Sequence, residues 1–331
     1  MSAPPAVSPP AVSPTVVVTG GAGFIGLNLV SAFLAAGARV LSFDMRPPPA
    51  RAAAVFAAHP GFGGWRSGDV VDRAALVDVL GACGAGILVH AAAITAGAAR
   101  ERADPERIVT VNLAGTAAAM RAAHLAGVGR VLLLSTAAVH GDAPPGAVLD
   151  ERTERHPRTL YAVTKSAAED VALRLADLHG TTLRIARLGW VFGAWEHDTG
   201  LRDSISLLHH LTRQARAGLP LSLSEDVARD WCPAPAVAAA MVRLALAERS
   251  RHIRYNVVSG RLWRLSDWCA ALQRRLPGVE IPVATTVPPP EARLSPDRFA
   301  ADFGPVATTT IDEDARDYLA WLETHGMENT A

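Results

Sequence analysis

Between residues 15 and about 188, short runs of β-branched residues or leucine alternate with alanine-rich stretches. The apolar runs are TVVVT, ARVLSF, GGWRSG (a weak one), GILVHA, RVLLLS and TTLRIARL. Runs this short and this continuously apolar fit strands buried on both faces, and the segments between them, roughly 10 to 20 residues each, fit crossover helices. A strand, helix, parallel strand succession closes in the right-handed sense, so the pattern predicts an α/β fold with a doubly wound parallel sheet. Pro47–Pro49, Pro144–Pro145 and Pro288–Pro290 mark loops, because proline ends both helices and ladders.

The alternation fades after residue 188. DSISLLHHLTRQARAG reads as a helix, PLSLS as a short strand, RYNVVSG as another strand and LSDWCAALQRRLP as a helix. PAPAVAAAMVRLALAE followed by RYNVV predicts a helix and then a buried strand, so the chain returns to the sheet over about 230–258. The expected organisation is a sheet domain over 15–188 with that return, and a smaller C-terminal lid from 189–229 and 259–331. The opening MSAPPAVSPPAVSP, residues 1–14, lacks a basic start and an apolar core; it reads as a disordered tail and not as a signal peptide. No internal repeat is evident.

Composition narrows the possible partners. Lys plus Arg and Asp plus Glu are 32 each, which leaves no basic field for nucleic acid or an anionic membrane. Cys83, Cys232 and Cys269 lie far apart with no ligand spacing, so neither disulfide framework nor metal site is expected, and a reducing cytoplasm fits. No apolar segment is long enough to span a bilayer.

The first candidate chemistry lies in TVVVTGGAGFIGLNLV, where Gly20, Gly23 and Gly26 stand between a strand and a helix. This arrangement permits a tight turn, close approach of the backbone to a pyrophosphate and close helix packing, with free N–H groups and the helix dipole facing the phosphates. Asp44 ends the next strand. A carboxylate there accepts hydrogen bonds from ribose hydroxyls and repels a 2′-phosphate, so a Rossmann-type site for NAD is expected over NADP, although Arg46 stands close by. Asp69 in SGDVVD either contacts adenine in the same cleft or caps the next helix.

A second candidate is TLYAVTKSAAED. Tyr161 and Lys165 are spaced i, i+4 on a helix beginning after Pro157, so one face presents both. An unperturbed tyrosine, with a pKa of about 10, is too weak a base at neutral pH, and a nearby ammonium is the natural device for lowering it.

With these motifs the chain resembles the extended short-chain dehydrogenase/reductase family, its NAD-dependent sugar epimerases and dehydratases in particular. The resemblance rests on TGGAGFIG, Asp44, GDV at 68–70, HAAA at 90–93, VNLAGT at 111–116, STAAVHG at 135–141, YAVTK at 161–165 and RLGWVFG at 187–193, in the family's order over residues 15 to about 325. It implies Tyr161 as general base or acid, Lys165 as its electrostatic partner, and Asn112 as a catalytic residue that positions lysine and cofactor. Thr136 is the implied catalytic hydroxyl, with Ser135 left to the strand end; Thr136 could also simply cap the strand, and Asn112 simply bond within its helix. The implied cofactor contacts are Gly20, Gly23, Phe24, Ile25, Gly26, Asp44, Asp69, Val70, Ala91, Ala92, Ala93, Asn112, Tyr161, Lys165 and Leu188. On the substrate side they are Thr95, Thr136, Trp190 and Arg229. Alanine-rich helices around 104–126 and 158–178 match the pair that forms a homodimer interface in relatives.

The expected chemistry is hydride transfer from a secondary carbinol to NAD, with Tyr161 taking the hydroxyl proton and no metal required. The family's 4,6-dehydratases carry an Asp and Glu pair where this chain has Ala137 and Ala138, and alanine cannot move a proton. A dehydrogenase of a sugar, sugar acid or related polyol is expected, with a nucleotide-sugar 4-epimerase as the alternative. Trp190 stands where nucleotide-sugar relatives have Asn, and PLSLSEDVARDW is short and lacks glycine; both favour a small substrate without a nucleotide. Arg229 either grips a ligand or pairs with Asp226 or Asp230. No catalytic role is expected for His140 or His197.

Overall fold

The three valines of TVVVT lie fully buried at the middle of a parallel sheet, Val16 and Val18 facing one core and Val17 the other. The protein is described here from a computed structural model covering residues 14–203, 205–280, 283–307 and 309–325. The tail expected over 1–14 lies outside the described residues except for Pro14. Seven strands form the sheet: β1 (Thr15–Thr19), β2 (Arg39–Asp44), β3 (Phe62–Ser67), β4 (Ile87–His90), β5 (Arg130–Thr136), β6 (Thr182–Leu188) and β7 (Arg254–Val257). Their spatial order is 7-6-5-4-1-2-3 and every pairing is parallel. The winding direction reverses between β1 and β4, and the crevice outside their C-terminal ends is where such sheets hold ligands.

Helices Phe24–Ala35 and Ala234–Leu246 cover one face of the sheet. Helices Arg73–Ala82, Gly115–Leu125 and Leu160–His179 cover the other. Alanine is prominent among the buried residues of Gly115–Leu125, Leu160–His179 and Ala234–Leu246, where small side chains let helix backbones lie close to the strands, whereas Phe24–Ala35 and Arg73–Ala82 bury larger leucine and phenylalanine side chains. The helical region expected around 104–126 is interrupted: Thr110–Ala114 forms a π-helical turn between Pro105–Val109 and Gly115–Leu125, and Asn112 sits in it. Such turns re-aim a side chain within a helix.

The chain returns to the sheet as expected, helix Ala234–Leu246 leading into β7 beside β6. The segments after 188 enclose a core of their own, in which Phe192 packs edge-on against Trp268 at 5.1 Å. The helices expected in DSISLLHHLTRQARAG and LSDWCAALQRRLP occur at Leu207–Arg216 and Leu265–Gln273. PLSLS is not a strand. Leu221 and Leu223 are buried, as its period-two pattern requires, but among the described residues no strand pairs with its backbone; the local ladder joins Ala228–Arg229 to Trp263–Arg264 instead. The three cysteines are free thiols. No helix among the described residues is long and apolar enough to cross a membrane.

Candidate active site

A cleft of about 1030 Å³ runs across the C-terminal ends of β1, β2, β4, β5 and β6. Every site residue expected from the sequence lines it except Asn112. At one end, Gly20 adopts φ +67°, and a Cβ there would stand 2.7 Å from the Ala92 backbone. A Cβ on Gly26 would collide with the Gly20 carbonyl oxygen. The helix beginning at Phe24 has no side-chain cap and no acid in its first turn, so its leading N–H groups face the cleft without a protein anion. This cradle fits a pyrophosphate.

Asp44 accepts hydrogen bonds from the Ala22 and Arg46 backbone N–H groups, each at 3.1 Å, which fixes the carboxylate at the cleft edge. Arg46 is drawn off to the Thr199 carbonyl. Asp69 is not a helix cap: Asp72 holds that position, accepting from the Ala75 N–H at 3.1 Å, while Asp69 accepts from Arg107 at 2.8 Å and lines the cleft with Val70.

Thr136, Tyr161 and Lys165 meet at the end of β5. The Tyr161 hydroxyl interacts with the side chains of Thr136 and Thr95. Thr136 Oγ1 accepts from the Ala138 N–H at 3.2 Å, which leaves the threonine proton free to donate into the cleft. Burial raises the Tyr161 pKa above its ordinary value, opposed by the two threonines and by Arg202, and Lys165 is not among the groups that lower it. The expectation that the ammonium brings the phenol down is therefore not met here, and Tyr161 is a neutral acid at neutral pH. Burial also lowers Lys165, to about 8, against the pull of Glu169. His90, at the end of β4, is held neutral by burial and by the Lys165 charge, at about 3.

A pH prediction follows from these groups. Lys165 carries its charge below pH 8 and loses it above, while Tyr161 keeps its proton through that range. Activity that needs both, in the direction that protonates a carbonyl, should stay level to about pH 8 and then fall tenfold per unit. Lys165 is the only lysine in the chain. After ¹³C reductive methylation its single ε-resonance should titrate near 8; a midpoint near 10 would contradict the assignment.

Asn112 lies behind this centre. It is 1 % exposed, accepts from the Ile94 N–H at 2.7 Å, and donates to the Ile94 carbonyl at 3.0 Å and to Thr164 at 3.2 Å. Its side chain is spent on orienting the loop after β4 against the helix carrying Lys165, so it acts on the site through Ile94 and Thr164. Ser135 is structural as expected, donating to Glu169 at 2.6 Å. Glu169 was not foreseen. It is fully buried one turn beyond Lys165, pairs bidentately with Arg187 at 2.8 and 2.9 Å, and accepts from Arg254 at 2.9 Å. Burial would raise its pKa, but Arg187, Ser135 and Arg254 together hold it at about 2. His140 is buried beside Arg187 at 3.2 Å and takes no part in the cleft.

On the substrate side, Arg229 pairs with neither Asp226 nor Asp230. Those acids serve the turns at Ser266 and at Ser259 and Gly260. Arg229 instead donates to Glu291 at 2.6 Å and lies 3.9 Å over the Trp190 ring. Glu196, also unforeseen, is buried and ties down the loop along the cleft rim by accepting from Arg202 at 2.8 Å and from the Ser206 N–H and hydroxyl at 2.7 Å. His197 lines the cleft, its Nδ1 2.9 Å from the Trp195 carbonyl. Neither the burial of Glu196 nor the Glu291 pairing, 62 residues from Arg229, has a local signal in the sequence.

A doubly wound sheet with a pyrophosphate cradle and a Thr, Tyr, Lys centre defines an enzyme of the short-chain dehydrogenase/reductase type. The NAD dependent epimerase/dehydratase family matches residues 16–257, and the chain belongs to that family. Its cofactor is NAD, in keeping with the cradle and with Asp44. The chain is 31 % identical over 179 residues to a 4-hydroxy-2-methyl-3-oxo-4-farnesyl-3,4-dihydroquinoline-1-oxide ketoreductase of Stigmatella aurantiaca, covering 54 % of this chain and 50 % of that one. It thus spans about half the length of that relative. It is 27 % identical over 286 residues to dTDP-L-rhamnose 4-epimerase of Burkholderia thailandensis, covering 76 % and 78 % of the two chains. The Bordetella bronchiseptica enzyme WbmG, solved in complex with NAD, superposes with a TM-score of 0.76 over 97 % of each chain at 23 % identity, a likeness of fold.

Proposed function

We propose that the protein is an NAD-dependent oxidoreductase that interconverts a secondary carbinol and its ketone with net turnover of the cofactor. The observation that carries this reading is the meeting of Tyr161, Thr136 and Lys165 at the mouth of β5 beside Ala137 and Ala138, with no carboxylate next to Thr136. NAD supplies the hydride-accepting carbon when bound. Thr136 donates to the reacting oxygen, Tyr161 gives its proton to that oxygen in the reducing direction and takes it back in its ionised form in the oxidising direction, and Lys165 keeps a positive charge one helical turn away. Ala137 and Ala138 provide no group to expel water, so the oxidised product leaves unaltered.

The oxidation of a sugar, sugar acid or related polyol, as expected from the sequence, is the carbohydrate form of this reading. The dTDP-L-rhamnose 4-epimerase relative supports the alternative, a nucleotide-sugar 4-epimerase. Against it stands Arg229, held by Glu291 and stacked on Trp190 where a diphosphate would need it free. Under the same reading, 189–229 and 259–331 form the substrate-binding part. The test is absorbance of NADH with purified protein, NAD and a panel of secondary alcohols, free sugars, aldonates, uronates and UDP-sugars. One NADH per product molecule is expected; conversion of a UDP-sugar without net NADH would replace this reading with the epimerase.

A homodimer through the helices within 105–125 and 160–179 belongs to the same reading. They leave Val109, Leu125, Val163 and Leu178 exposed. Light scattering at micromolar concentration should give twice the chain mass, and a monomer mass would reject the dimer.

A further inference from the structure

Beyond Thr136 and Tyr161, the apolar part of the cleft wall includes Trp190, Val191, Ile205, Leu207 and Leu294. Trp190 and Leu207 are each 44 % exposed there, large apolar surfaces facing the space a substrate would fill. Three polar side chains beside this wall, Ser206, Arg202 and Arg229, are already engaged. The Ser206 hydroxyl donates to Glu196 at 2.7 Å and accepts from the His209 N–H at 3.1 Å. Arg202 donates to the same glutamate at 2.8 Å and lies 4.7 Å over the Phe24 ring. Arg229, a second cation on this wall, is neutralised by Glu291 and covered on one face by Trp190.

The solvation consequences favour one class of substrate. A ring hydroxyl buried against this wall without a partner loses between about fivefold and a hundredfold in affinity, and a sugar brings several. A phosphate or carboxylate at Arg229 would stand beside the Glu291 carboxylate that already neutralises this cation. An added methylene, by contrast, gains about fourfold on burial. We infer that the substrate is a neutral secondary carbinol or ketone whose remaining body is apolar, an alicyclic or alkyl-bearing molecule and not a sugar or nucleotide sugar. This inference rests on the hydride-transfer reading above. In the reducing direction the carbonyl carbon gains the hydride of NADH and its oxygen gains the Tyr161 proton, giving the carbinol and NAD.

The experiment follows NADH consumption by the purified protein with 4-alkylcyclohexanones from methyl to hexyl, beside UDP-glucose and D-glucuronate assayed with NAD. The expected result is that kcat/KM rises about fourfold per methylene over the shorter members, exceeds that of both carbohydrates, and loses this rise in Leu207→Asn with no change in thermal midpoint. Carbohydrate turnover above the whole ketone series would overturn the substrate class while leaving hydride transfer standing. Ketone turnover that survives Tyr161→Phe would instead strike the hydride-transfer reading. Were neither panel turned over, the same ketones would be titrated against the NAD-loaded protein by tryptophan fluorescence, and affinity independent of chain length would reject the inference.

Discussion

Tyr161→Phe should lower turnover by about 10²- to 10⁴-fold, the usual contribution of a positioned acid or base. The ring stays and only the hydroxyl is lost, so packing in the cleft is preserved. That hydroxyl is the group Thr136 and Thr95 converge on, and with it goes the proton the reacting oxygen must exchange. Turnover is followed at the NADH band, and NAD binding by the variant is measured alongside. Binding should be unchanged within a few-fold; a variant that retains more than a tenth of wild-type turnover would mean that the proton moves by another route.

Glu169→Ala should destabilise the fold by about 3–5 kcal/mol, the cost of breaking a buried ion pair from one side. Arg187 is 1 % exposed and would keep its charge with no carboxylate in reach, while Arg254 and Ser135 would lose their acceptor. Total stability of about 5–15 kcal/mol makes this a large share. Chemical denaturation checks it. The pH dependence has a definite sign. The folded pKa is depressed to about 2, so the pair's contribution is complete above the ordinary glutamate value near 4.5 and is lost as pH falls toward 2. The stabilities of wild type and variant should therefore draw together as pH falls below about 4.5 and converge only below about pH 2. Because Glu169 also supports the Lys165 charge, the variant's lysine resonance should titrate lower than the wild type's.

The parts of the site that depend on local spacing were legible in the sequence. Gly20, Gly23 and Gly26 are demanded by one turn, Asp44 by the end of one strand, and Tyr161 with Lys165 by one helix face. The sheet was legible too, because buried parallel strands leave continuous apolar runs such as RVLLLS. What escaped depends on segments that meet only in space. Glu169 draws together β5, β6, β7 and a helix, and nothing in SAAED distinguishes it from a surface glutamate. Arg229 has two aspartates within three residues, yet each is consumed by a turn, and its partner Glu291 arrives from a distant loop. PLSLS shows the limit of periodicity: alternation correctly marked which side chains are buried, but a strand also needs a neighbour, and the described residues supply none there. The Tyr161 pKa lies above its ordinary value and not below it, because sequence reports the nearby charge and not the burial that outweighs it.

The central claim, that hydride leaves the substrate and departs with the cofactor, is tested most directly by isotope transfer. An alcohol substrate chosen by the NADH assay is deuterated at its carbinol carbon and turned over with NAD, and the released cofactor and product are analysed by mass spectrometry. One deuterium in each released NADH, matched by one ketone, is the predicted result. Deuterium retained on the carbinol carbon of a stereoinverted product, with no labelled cofactor released, would contradict it.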